Sequence, residues 1–188
     1  SETFALRGHN VSLEELKGIY EWQMVRGINW LCPHLEGYTN RGLRKRDYPP
    51  AMYMQQPWWS EYGKWVDAMS RIGKVLHDGK KKAEILVLHP QTTAWALYDD
   101  GENKGIRELN SQFLAVNRAL EEKHVNFHFG DETMMERHGK VENGKLIIGK
   151  QAYTYVVDPG CEHLLPNTKR LLDEFKANGG KIVTDIAT

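Results

Sequence analysis

"AEILVLHP", residues 83–90, decides the fold. Five of its eight residues are apolar, four of them in an unbroken run from Ile85 to Leu88, and the stretch ends at a proline. A strand covered on one face alternates apolar and polar residues; one covered on both faces does not. The run therefore predicts a buried strand of parallel type. Downstream, "IRELNSQFLAVNRALEEK" (106–123) reads as a helix, "VNFHFG" (125–130) as a strand and "DETMMERHG" (131–139) as a short helix. "KVENGKLIIG" (140–149) reads as a hairpin turning at Asn143-Gly144, a pair suited to positive φ at both positions. "AYTYVVDPG" (152–160) is expected to be a third parallel strand, "PNTKRLLDEFKANGG" (166–180) a helix and "KIVTDI" (181–186) a fourth strand. Strands alternating with helices predict an α/β domain over 83–188, a doubly wound sheet of flavodoxin-like type.

Upstream, the charged stretch "GKKK" (79–82) reads as a hinge, and a different unit is expected over 1–79. "NVSLEELKGIYEWQMVRG" (10–27) carries a capping box, Ser12 with Glu15, then Leu13, Leu16, Ile19, Tyr20 and Met24 at helical spacing, with Gly27 as the stop. "INWLCPH" (28–34) reads as a buried strand, with His34, Glu36 and Tyr38 at its carboxyl end. A polar loop follows (37–57), then an amphipathic helix, "WWSEYGKWVDAMSRIGKVLHDG" (58–79). No repeat and no low-complexity segment interrupts the chain.

Composition narrows the function. The 188 residues are 40% hydrophobic, enough for a core, and the formal net charge is zero. That balance argues against a nucleic-acid surface, which needs a basic excess. No apolar run approaches the roughly 20 residues of a membrane span, and no targeting signal is visible, so the compartment is open. Cys32 and Cys161 lie far apart and form neither a metal pair nor a disulfide framework. Of six Trp, Trp30, Trp58, Trp59 and Trp65 crowd into the first third with Tyr38, Tyr48, Tyr53 and Tyr62. Such a cluster serves either as platforms for sugar rings or as an aromatic core.

Three candidate chemistries compete. "HPQTTAWALYDDGENKG" (89–105) lacks the glycine-rich turn of a nucleotide site. "DPGCEHLLP" (158–166), a cysteine after a strand with a carboxylate and a histidine nearby, resembles the nucleophile region of class I glutamine amidotransferases, but Glu162 and His163, adjacent to Cys161 in sequence, cannot readily orient one another as base and orienter. His34 and Glu36 offer two metal ligands without a third, and zinc takes three or four. Hydrogen bonding to a polar substrate at a barrel mouth suits them better. No metal and no cofactor is expected.

"SETF" (1–4), "WQMVRGINWLCPHLEGYT" (22–39), "RDYPP" (46–50) and "QQPWW" (55–59) resemble the carboxyl-terminal part of glycoside hydrolases built on (β/α)8 barrels. "RIGKVLHDGKKKAEILVLHP" (71–90) is similar to the bridge between the last barrel helix and a flavodoxin-like domain, and "LLDEFKANGGKIV" (171–183) to that domain's ending. The second domain resembles those of some β-galactosidases and of α-L-rhamnosidase-type enzymes. The resemblance implies a partial (β/α)8-barrel end followed by a flavodoxin-like, amidotransferase-like sheet, within a larger enzyme acting on glycosidic bonds of a carbohydrate. It implies that Glu2 is the catalytic carboxylate ending the seventh barrel strand, and that Trp30, His34, Glu36 and Tyr38 line the sugar pocket at the end of the eighth. The acid/base partner would come from the fourth strand, outside this chain, leaving the chain alone inactive. A non-catalytic assembly module and a Cys161-dependent hydrolase are the alternatives, and homo-oligomerisation is left open.

Overall fold

The computed structural model describes residues 1–34, 36–99 and 101–184. The chain is mixed α/β and divides into two compact units, Ser1–Lys81 and Lys82–Thr188.

The first unit runs β1 (Glu2–Thr3), α1 (Leu13–Val25), β2 (Cys32–Pro33), a 3-10 turn (Gly42–Arg46) and α2 (Trp59–Asp78). Both ends of α1 form as the sequence predicts. The Ser12 hydroxyl accepts from the Glu15 N–H at 3.1 Å, and the Glu15 carboxylate accepts from the Ser12 N–H at 2.9 Å. At the other end Gly27, at φ +95°, donates to the Met24 carbonyl, and Ile28 donates to that of Gln23. These two bonds make a Schellman stop that only a residue tolerant of positive φ closes without strain. Leu16 and Met24 are buried, and Leu16 joins Phe4, Val11 and Met52 in a small core.

Trp58, at the N-cap of α2, and Trp65 within it pack against that core. Trp58 donates its indole N–H to the Val11 carbonyl at 2.8 Å, and Trp65 donates to that of Leu13 at 3.0 Å. The Tyr20 hydroxyl, from α1, donates to the Met69 carbonyl at 3.0 Å. Half-buried rings with their polar tips on backbone carbonyls are packing elements. Of the two roles open to this cluster, Trp58 and Trp65 take the structural one. "INWLCPH" departs from expectation. Only Cys32 and Pro33 are in a strand, both are exposed, and Trp30 is 79% exposed. Among the described residues this sheet has two strands, so the run that its apolar character suits for burial is only partly covered.

The second unit carries β3 (Ile85–Leu88), α3 (Gln91–Ala96), α4 (Lys104–Glu122), β4 (Phe127–Gly130), α5 (Glu132–His138), β5 (Gly139–Glu142), β6 (Lys145–Ile148), β7 (Gln151–Tyr153), β8 (Tyr155–Val157), α6 (Pro166–Ala177) and β9 (Lys181–Val183). Four strands form a parallel sheet in the order β4-β3-β8-β9, and β5-β6-β7 form an antiparallel one. Alternate residues of the parallel strands feed two cores. Leu86, Leu88 and Val156 pack with Met135, Leu171, Leu172 and Phe175. Val87 and Val157 pack with Leu120, flanked by Phe113 and Val116 of α4. That two-sided burial is why "ILVL" shows no alternation.

One strand reading needs correction here. "AYTYVVDPG" is not one strand: Gln151–Tyr153 belong to the antiparallel sheet and Tyr155–Val157 to the parallel one, with the break at Thr154. Thr154 and Tyr155 both donate to the Glu84 carbonyl, which swings the chain from one sheet to the other. The segment after β3, to which the sequence assigned no element, begins with α3, whose exposed Trp95 leaves no amphipathic pattern to read. The hairpin forms as expected, with Asn143 at φ +52° and Gly144 at φ +70°. The last two residues of "KIVTDI", and Asp100 in the loop after α3, lie outside the described residues.

Phe175 is fully buried, and its ring fills the space beside Gly180 that a Cβ would occupy. Phe175→Ala is therefore expected to cost about 3–5 kcal/mol of stability. Gly180→Ala is expected to destabilise through overpacking against the same ring. Denaturant unfolding of each variant checks both, and wild-type midpoints would contradict the packing described.

Candidate functional site

The site begins with a pairing between two segments thirty residues apart. β1 and β2 run parallel, with Glu2 opposite Cys32 and Thr3 opposite Pro33. Cys32 donates to the Ser1 carbonyl and His34 to the Thr3 carbonyl, each at 2.8 Å. Side chains alternate along a strand, so Glu2 and Thr3 take opposite faces. Thr3 turns inward: it is 5% exposed, and its hydroxyl accepts from the Gln23 side-chain amide of α1 at 2.6 Å. Phe4, next along, is in the core. With these two residues anchored, Glu2 is held outward at the strand end.

His34 meets it there. Its Nε2 lies 3.4 Å from Glu2 Oε1, with the imidazole largely buried and the carboxylate 65% exposed. The ring is braced by Tyr48, centroids 5.0 Å apart. Of the five expected site residues, the structure brings Glu2 and His34 together. Glu36 is exposed, and its charge faces Tyr62, whose phenol is pushed up first by burial and then by Glu36. Tyr62 stacks between Trp59 and Trp65, at 5.3 and 5.6 Å. Tyr38 is 92% exposed, and Gln55 donates to its carbonyl and to that of Gly37. Trp30 is exposed.

An open concavity of about 560 Å³ lies on the α1 side of β1, where Glu2, Arg7, Ile19 and Trp22 are among its lining residues. It shares only Glu2 with the expected set. Trp22 is half-exposed, with the Arg26 guanidinium 4.5 Å from its ring centroid. Gln23, Arg7 and Trp22 are the contributors that sequence reasoning missed, and Tyr48 was visible only as a member of the aromatic cluster. Trp22 had one visible signal, an aromatic residue off the apolar face of α1. Among the described residues, no group of three or more His, Cys, Asp or Glu is placed to hold a metal ion.

No protein-family model matches this sequence, and no curated protein matches it. Solved structures do match in shape. One is the rhamnosidase from Novosphingobium sp. PP1Y, with a TM-score of 0.64 and 14% identity over 95% of this chain. This chain spans 16% of that one. At such identity the likeness shows fold alone: this α/β chain is folded like a segment of a glycoside hydrolase.

Cys161 is the competing centre, and its surroundings oppose nucleophilic chemistry. Asp158 Oδ1 accepts from the Gly160 and Cys161 N–H groups, at 3.0 and 2.7 Å, closing a tight turn after β8. The thiol is buried and its pKa is pushed far above the ordinary range, by burial first, then by the charge and hydrogen bond of Asp158 and the charge of Glu132. A thiol nucleophile needs the opposite setting, since the thiolate is the reactive form. His163 is engaged through its backbone, whose N–H and carbonyl both bond the Thr93 hydroxyl, while the residue itself is exposed. The folded state holds the Cys161 proton more tightly than the unfolded chain does. Its contribution to stability is therefore complete below the unfolded thiol value of about 8.5 and declines as pH rises above it. Iodoacetamide at mildly alkaline pH is expected to modify exposed Cys32 and spare Cys161 until the protein is unfolded. Mass spectrometry reads the sites, and rapid native labelling of Cys161 would contradict this account.

Proposed function

We propose that this chain supplies part of the active centre of a glycoside hydrolase, with Glu2 as the carboxylate that acts at the anomeric carbon. The observation that carries the reading is the Glu2–His34 pair, an exposed carboxylate held at the end of a short parallel strand beside a braced imidazole. The likeness to a segment of a rhamnosidase supports it and favours a rhamnoside over a galactoside as substrate. Two structural features support the finer architecture. The β1–α1–β2 crossover is the repeating unit of a (β/α)8 barrel, for residues 1–79. The order β4-β3-β8-β9, second-first-third-fourth along the chain, is the beginning of the flavodoxin-like order, for residues 83–188.

Glycoside hydrolysis takes two carboxyl groups, one protonating the leaving oxygen and the other attacking or activating water. Glu2 fills the second role in this reading, and the acid comes from the part of the barrel outside this chain. In this reading Trp30, Glu36 and Tyr38 line the sugar pocket, with His34 at its edge beside Glu2.

In the intact protein that contains this chain, Glu2→Gln keeps the shape and removes the charge that faces the oxocarbenium-like transition state. The expected loss is several kcal/mol of transition-state stabilisation, on the order of a thousandfold or more in kcat, with an unchanged fold by circular dichroism. Cys161→Ala is expected to leave turnover nearly unchanged. Turnover that survives Glu2→Gln and falls with Cys161→Ala would replace this reading with a thiol hydrolase.

A further inference from the structure

We infer that His34 is a positioning residue for Glu2 rather than a ligand of the sugar. The inference deepens the reading above and rests on it for its catalytic meaning, while its structural content stands on the geometry of the pair.

The imidazole has two polar edges. Nε2 faces Glu2 Oε1 at 3.4 Å. Nδ1 is buried and has no hydrogen-bond partner. A buried N–H without an acceptor is costlier and rarer than a bare acceptor lone pair. In its neutral form the ring therefore carries its proton on Nε2, the edge beside the carboxylate, and leaves the lone pair on buried Nδ1. Nδ1 is then out of reach of a sugar hydroxyl, and Nε2 lies beside Glu2. The distance is long for a hydrogen bond, as such contacts often are before substrate tightens them.

The surroundings hold the ring in this pose. The His34 backbone N–H is fixed on the Thr3 carbonyl. The Tyr48 ring lies against the imidazole, tilted by 42°. Tyr48 itself sits at φ +49°, and Phe4, two residues beyond Glu2, at φ +74°. A left-handed backbone is an outlier for a bulky aromatic residue. Two of them flanking one carboxylate–imidazole pair point to a site whose geometry is held against local preference, as happens where function requires it. With its Oε1 turned toward His34, Glu2 keeps Oε2 to direct at the reacting carbon or at water.

The direct test is nitrogen NMR of the chain labelled with ¹⁵N-histidine, with His34 assigned by its loss in His34→Gln. The expected spectrum shows His34 as the Nε2–H tautomer, and its Nε2 resonance moves in Glu2→Gln. An Nδ1–H tautomer, or a resonance indifferent to Glu2→Gln, would overturn the inference. In the intact enzyme His34→Ala is expected to lower kcat about a hundredfold, the scale of an ångström's misplacement, with KM little changed. His34→Gln, which returns an amide N–H near the Nε2 position, recovers much of that loss. A raised KM with full kcat would restore His34 to the sugar-binding role. An intact protein without glycosidase activity would defeat the functional reading alone, because the tautomer decides the positioning claim without turnover.

Discussion

The parallel pairing of Ser1–Thr3 with Cys32–His34 is the constraint on which the first unit's chemistry depends. Parallel strands cannot be joined by a tight turn and need a crossover of a dozen or more residues, here α1. The capping box at Ser12 and the Schellman stop at Gly27 set where that helix begins and ends. They therefore set where the chain re-enters to form β2. The buried bond from Gln23 to the Thr3 hydroxyl then ties the crossover helix to the first strand. A shift of β1 by one residue would turn Glu2 inward and Thr3 outward, because strand faces alternate. Burying an unpaired carboxylate is costly enough to forbid that register.

The aromatic residues of α2 and its N-cap serve the same end from the other side. Trp58 and Trp65 reach the carbonyls of Val11 and Leu13, the entry to α1, and Tyr20 of α1 reaches back to Met69 of α2. The rings fill the space between the two helices while their polar tips satisfy backbone groups at its margin. Trp59 and Tyr62 extend the stack toward the loop that carries Glu36 and Tyr38. In the second unit the parallel sheet draws on a different device. β3, β8 and β9 send alternate side chains to α4 on one face and to α5, α6 and the hairpin on the other.

Much of this was legible because it is local. The caps of α1, the Asn143-Gly144 turn and the uniform apolar run of β3 each act through a few neighbouring residues, so their chemistry is written in order along the chain. Glu2 and His34 were both visible as candidates, though their meeting at 3.4 Å depends on a pairing that no periodicity records. What escaped was non-local. The apolar character of "INWLCPH" speaks of a tendency to be buried, and says nothing of whether a neighbour is there to cover it. "AYTYVV" is apolar but for Thr154, and threonine is common inside strands, so nothing in it marks that Thr154 divides it between two sheets. Tyr48 carries no pattern in a polar loop, and Gln23 looks like an intruder on the apolar face of α1 until Thr3 appears opposite it. α3 is hidden for the same reason: Thr93 is buried through a bond to the backbone of His163, seventy residues away.

The central claim is that Glu2 is the charge that faces a sugar's anomeric carbon. An iminosugar carries a cationic nitrogen in the ring and so imitates the charge of the glycosidic transition state. A crystal structure of the intact protein with such a ligand is the most direct measurement. The account predicts the ring nitrogen within hydrogen-bond distance of the Glu2 carboxylate, with Nε2 of His34 still directed at Oε1. An iminosugar bound elsewhere, with Glu2 facing only solvent, would contradict it.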